Sequence, residues 1–148
     1  METKSSGRSR EEQYKWLSES VDRASSVDRA SSLEREFLNY LYNNGHRLPD
    51  FAHYKPTPEV HVQADFYYER QSLPYYYERQ SVPYYYERNS VPGICVFIDG
   101  PFHDSAAQGA HDQEVRMGLT NLSFRVISIR HDRSVAEQIA TDPLVFSQ

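Results

Sequence analysis

Cysteine is nearly absent from this chain. Cys95 is the single one in 148 residues, which excludes an internal disulfide and any cysteine-rich zinc site. Its neighbours in "GICVFIDG" are apolar, so the thiol is expected to be a small buried hydrophobe rather than a nucleophile. Long hydrophobic runs are missing too. No stretch approaches the roughly 20 apolar residues of a membrane-spanning helix. The first residues, "METKSSGRSREEQYKW", hold no apolar stretch of signal-peptide type. The expectation is a cytoplasmic protein with no membrane contact. Nor is there an excess of positive charge: 16 basic against 21 acidic residues leave a net charge of −5. A broad basic face for coating phosphate backbones is therefore not expected. A nuclease remains open, because it needs carboxylates at the scissile phosphate and basic residues only locally.

What the chain does have is repetition. The nine-residue units Phe66–Pro74, Tyr75–Pro83 and Tyr84–Pro92 read "FYYERQSLP", "YYYERQSVP" and "YYYERNSVP", and "SVDRAS" occurs at Ser20–Ser25 and again at Ser26–Ser31. Two unrelated tandem repeats point to sequence duplication. Each nine-residue unit is five strand-prone residues followed by four turn-prone ones. Collapsing the three copies to one leaves a simple hairpin, so the repeat is expected to be an expansion at a hairpin tip, where closure entropy rises slowly with length. The alternative is a tyrosine and arginine platform for single-stranded nucleic acid. A glutamate beside each arginine cancels the charge that such a platform needs. Three copies could compete for the place beside Ile94–Asp99. The first has the advantage, because Asp65 can donate a ladder hydrogen bond where the later copies have Pro74 and Pro83. Val60, Val62 and Ala64 also extend it toward the core.

The rest of the chain divides into readable pieces. Residues 1–30 are a polar lead-in, loosely ordered or carrying a short helix through Trp16, Leu17 and Val21. A domain is expected over 31–148, with 71–92 as the insertion. Leu33, Phe37 and Leu41 give a helix of about three turns, stopped by Asn43-Asn44-Gly45. Residues 46–60, with three prolines, read as an extended connector. "EVHVQADFYYER" alternates as a strand, with Val60, Val62 and Ala64 on one face. "GICVFIDG" reads as a buried central strand covered on both faces. A helix over about 105–121, a strand in "SFRVISIR" and a short helix in "SVAEQIA", with Ser134 and Glu137 as a capping box, complete the order. A hairpin followed by a β–α–β crossover, behind a leading helix, makes a mixed α/β sheet flanked by helices.

With the hairpin closed, Asp65 and Asp99 fall on neighbouring strands, and His103 follows in "DGPFH". A carboxylate pair with a histidine at the mouth suits Mg²⁺ held against a phosphodiester, with His103 as general acid or base. The two carboxyl groups are expected within about 4–7 Å, close enough for one ion with ligands at about 2.0–2.1 Å to bridge directly or through water. Blander roles exist. Glu34 completes a capping box with Ser31, and Asp99-Gly100 is a common turn pair. His46, His53, His61, His111 and His131 are scattered without ligand spacing and read as surface residues.

"ADFYYER…ICVFIDGPFHD", followed by "HDQEVRMGLTNLSFRVISIR", resembles the restriction-endonuclease-like superfamily. The nearest branch is the very-short-patch-repair type, including nuclease-like domains at the C-termini of bacterial DEAD/DEAH-box helicases. The resemblance covers about residues 31–146, and "FIDGPFHD" is its most specific piece. It implies a Mg²⁺-dependent DNA endonuclease, with Mn²⁺ as a substitute. Asp65 and Asp99 would be the metal ligands, Glu34 would support a metal-bound water, and His103 would assist the attacking water or the leaving group. Asp112 and Arg116 match polar positions of the following helix. Phe97 stands where many relatives have glutamate, the frequent lysine after the second acid is missing, and Ser123 replaces a usual glycine. The resemblance also implies a helicase, repair or defence partner, from which this chain would be a detached C-terminal part. The alternative it carries is an inactive module of the same fold that docks nucleic acid or protein.

Overall fold

The structure is a computed structural model that describes residues 9–24, 31–69, 93–99 and 106–146. His103 and the insertion at 71–92 lie outside the described residues. Helix α1, Arg10–Ala24, begins with a reciprocal cap: the Glu12 N–H donates to Ser9 Oγ, and the Ser9 N–H donates to the Glu12 carboxylate, both at 3.1 Å. Gln13, Leu17 and Val21, four residues apart, make its buried stripe. Leu17 and Val21 pack in the main core with Trp16 against it, so the short helix expected through these three residues forms and is a layer of the domain rather than a loose lead-in. Its partner is helix α2, Ser31–Asn43, whose Phe37, Leu38 and Leu41 are buried. The Arg10 guanidinium joins the two by donating to the carbonyls of Leu41, Tyr42 and His46 at 2.6–3.0 Å, which satisfies the end of α2.

Four strands follow in the spatial order β1-β2-β3-β4: β1 Phe51–Tyr54, β2 Ala64–Tyr68, β3 Ile94–Asp99 and β4 Arg125–Arg130. The first three are antiparallel in sequence, and β3 and β4 are parallel. Helix α3, Ala106–Asn121, makes the crossover between the last two. Strand β1 corrects the reading of 46–60 as connector: its four residues are all only half-buried, so no hydrophobic pattern marks it. The residues Val60 and Val62, expected to extend β2, precede it as loop and pack against the α3 side. The first copy of the repeat is the one beside β3, with Phe66 opposite Val96 and Tyr68 opposite Ile94.

Every residue of β3 is buried. Ile94, Val96 and Ile98 pack toward α1 and α2, and Cys95 and Phe97 pack toward Leu119 of α3. Burial pushes the Cys95 thiol up to about 12, so it is an inert core group. At the start of β3 the backbone of β2 comes so near that a Cβ on Gly93 would lie 2.4 Å from the Tyr68 carbonyl. Between α3 and β4, Ser123 sits at φ 76, a conformation that favours glycine. Helix α4, Val135–Ala140, is capped by Ser134, whose hydroxyl accepts from the Glu137 N–H. Gln138 on α4 closes the outer edge of β4: its carboxamide accepts the Arg130 N–H at 2.8 Å and donates to the Arg130 carbonyl at 3.0 Å. A last turn, α5, Pro143–Phe146, returns Phe146 to the core against Phe37 and Tyr68. No helix among the described residues is long and apolar enough to cross a membrane.

Candidate metal centre

The site begins with a fault in a sheet. The register of β1 with β2 pairs Ala52 with Phe66 and Tyr54 with Ala64, which puts His53 opposite Asp65. Regular pleating would send Ala52 and Tyr54 to one face. Instead Ala52 packs in the α1–α2 core, while Tyr54 packs on Tyr67 with ring centroids 4.7 Å apart. On β2, Phe66 joins the α1–α2 core and Ala64 joins the α3 side. Alternation therefore reverses at the His53–Asp65 pair, and His53 carries the reversal at φ 52, in the left-handed region uncommon for any residue but glycine. The effect is to turn both polar side chains inward toward α2.

There they meet Glu34. His53 Nε2 lies 3.1 Å from Glu34 Oε1, and His53 Nδ1 lies 3.2 Å from Ser20 Oγ on α1. The Asp65 carboxyl lies beside Glu34, whose charge acts on it, and its Oδ2 accepts the Ile98 N–H of β3 at 2.7 Å. Asp65 thus does for Ile98 what a strand carbonyl would do. One donor atom each from Glu34, His53 and Asp65 lie within 4.8 Å of one another. Burial, reinforced by the charge of Glu34, pushes the Asp65 carboxyl up to about 7. The bond to Glu34 raises His53 above its usual value against the opposing effect of burial.

Asp99 is elsewhere. It faces α3, where Arg116 donates to both carboxylate oxygens at 2.6 and 2.8 Å, to Ser128 Oγ at 2.7 Å, and lies over the Phe97 ring at 4.5 Å. The two aspartates expected to share one metal are held by helices on opposite faces of the sheet, and the three-donor cluster includes Asp65 without Asp99. The physical reason is the reversal at His53, which swings Asp65 away from the face on which strand parity places Phe97 and Asp99. Arg116, a helix position without a clear role in the sequence, is the counter-ion of Asp99. Glu34 turns its Oε1 to His53. His53, read as a surface residue, has a side chain only 17 % exposed. Its signal in the sequence would have been the pairing with Asp65, which becomes visible only once β1 is assigned. Ser20 had no signal beyond its place on the α1 face.

Two carboxylates and an imidazole are a donor set that fits a divalent metal. Among the described residues, Asp65 is grouped with Glu34 and His53 within 4.8 Å, and Asp99 is not. Compared with protein-family models, curated proteins and solved structures, the chain matches none.

Proposed function

We propose that the chain is a metal-dependent phosphodiester hydrolase, a DNA endonuclease domain of restriction-endonuclease-like type acting in the cytoplasm, with its metal held by Glu34, Asp65 and His53. One observation carries this reading: the two acids that the sequence resemblance singles out on the leading helix and the hairpin strand, Glu34 and Asp65, come together with a histidine within metal-ligand reach. The mixed sheet with a leading helix, a hairpin and a β–α–β crossover agrees with the same resemblance.

Glu34, His53 and Asp65 would hold a dication there, which would supply Lewis-acid and water-activating chemistry toward a phosphodiester. The chain's own groups hold that arrangement in place. The Ile98 N–H occupies Asp65 Oδ2, which leaves the carboxyl's remaining lone pairs for the site. Ser20 steadies the imidazole from its far nitrogen. Arg23 lies near enough to His53 to act on its charge, and supplies local positive potential toward a phosphate in a chain that is negative overall.

The test is cleavage of supercoiled DNA with Mn²⁺ or Mg²⁺, wild type against Asp65→Asn and Glu34→Gln. The expected result is nicking that EDTA abolishes and that each substitution lowers by about 100-fold or more. Undiminished cleavage by both variants refutes the assignment. A second reading, an inactive module that docks nucleic acid or a helicase partner, is favoured by the closed Asp99–Arg116 pair. Its signature is DNA binding that survives Asp65→Asn, with no cleavage in any metal.

A further inference from the structure

We infer that His53, oriented by Ser20, makes the Glu34–His53–Asp65 cluster a site for a first-row transition-metal dication, Mn²⁺ or Zn²⁺, in preference to Mg²⁺. The inference shares its location with the proposed nuclease site but not its chemistry, because it concerns binding alone.

The donor types carry it. Mg²⁺ takes hard oxygen ligands in near-octahedral geometry and keeps several waters. Imidazole suits the later first-row metals, with metal–nitrogen distances of about 2.0–2.1 Å and carboxylate distances of about 2.0–2.2 Å. Donors at such distances stand roughly 3–4 Å apart around a shared ion. The three here lie within 4.8 Å of one another, so a modest inward movement of side chains closes the site. Three protein donors leave a position for water, as in open metal sites.

The imidazole has the outer partner that metal-bound histidines characteristically have. A metal on Nε2 requires the proton on Nδ1, and Ser20 Oγ is the group 3.2 Å from that nitrogen, placed to accept it. In the metal-free molecule Nε2 instead faces Glu34 Oε1 at 3.1 Å, so the ion would enter where those two atoms now share a hydrogen bond. Ser20 is a positioning residue: it acts through the ring of His53. The left-handed backbone at His53 serves the same end, since ordinary strand geometry would point the ring to the other face of the sheet.

The experiment is calorimetric titration of the full chain, freed of metal with EDTA, with Mn²⁺, Zn²⁺ and Mg²⁺ salts, alongside pulsed EPR of the Mn²⁺ complex. Mn²⁺ and Zn²⁺ should bind at least about 10-fold more tightly than Mg²⁺, and the EPR should show coupling to an imidazole nitrogen. His53→Gln should remove both the preference and the coupling. Ser20→Ala should weaken Mn²⁺ and Zn²⁺ by about 10-fold and leave Mg²⁺ unchanged. Equal affinity for the three ions, or an Mn²⁺ complex of the wild type without nitrogen coupling, overturns the inference, and neither result depends on whether a variant folds. Zn²⁺ affinity retained in folded His53→Gln also overturns it, by assigning the ion to other histidines. Nitrogen-coupled Mn²⁺ without DNA cleavage upholds this inference while refuting the nuclease. Cleavage in Mg²⁺ with no preference among the ions does the reverse.

Discussion

Replacing Asp65 with asparagine should make the metal-free protein more stable above neutral pH and flatten its pH dependence. In the folded chain burial, reinforced by Glu34, raises the Asp65 carboxyl from 3.8 to about 7. Between those values the folded state holds a proton that the unfolded state has released. Stability therefore falls as pH rises through that window and reaches its low level above pH 7. At about 1.4 kcal/mol per pH unit the gap amounts to roughly 4 kcal/mol at most, a large part of the 5–15 kcal/mol that about spans the stability of ordinary domains. His53 acts in the same direction. Its folded value is raised above 6.5, so what it contributes is fully present below 6.5 and is lost as pH rises through the folded value. Asparagine keeps the shape, accepts the Ile98 N–H through its oxygen, can donate to Glu34 through its nitrogen, and does not ionise. The assay is urea unfolding of both proteins in EDTA from about pH 4.5 to 8.5. The wild-type midpoint should fall across the range, and the variant should fall less and lead at the alkaline end by up to roughly 4 kcal/mol. Parallel curves, or a wild type that gains stability from pH 5 to 8, would refute the account of Asp65 as a buried carboxyl held beside Glu34.

Four further outcomes follow from the packing. Arg116→Ala strands a carboxylate that is only 8 % exposed and should cost about 3–5 kcal/mol in urea unfolding, with Asp99→Asn milder. Gly93→Ala forces a Cβ to 2.4 Å from a backbone carbonyl and should break the β2–β3 register, seen as loss of cooperative unfolding. Ser123→Gly relieves a left-handed backbone and should raise stability by about 1 kcal/mol, measured as a higher thermal midpoint. Deleting Tyr75–Pro92 removes two copies of the repeat that are not needed for the β2–β3 pairing, and should leave the circular dichroism spectrum of the folded core unchanged with an equal or higher midpoint.

How far the sequence could be read depended on whether local pattern and tertiary use coincided. They coincide at Ile94–Asp99, where continuous apolarity means burial on both faces, and at Phe37 and Leu41, where helical spacing means core. They coincide at Ser134 and Glu137, where the predicted hydroxyl cap forms. At α1 the pattern is present but diluted: among the described residues Gln13, Leu17 and Val21 are the buried ones, inside a polar and repeated stretch. The "S-x-x-E" of Ser9 and Glu12 was its clearest unread sign. Strand β1 is legible only through its partner, because its half-buried "FAHY" carries no alternation. Without β1 as partner, His53 has no sign of its role and ordinary strand parity places Asp65 on the α3 face. A reversal of strand parity is a backbone event, and nothing in the residue types at His53 or Asp65 announces it.

The carboxamide of Gln138 bears on how the molecule behaves in company. A sheet's last strand is a template for another chain, and β4 presents the N–H and C=O of Arg130 outward, where they would begin a ladder with a newcomer. Gln138 supplies one donor and one acceptor to that single residue, and so stands in for the first rung of a fifth strand. Among the described residues the sheet has four strands, and at Arg130 its outer edge is answered from within the same chain. Losing that side chain would leave the outward groups of Arg130 open to a strand from another molecule, and because Gln138 is itself buried, the loss would loosen the packing of α4 on β4 as well.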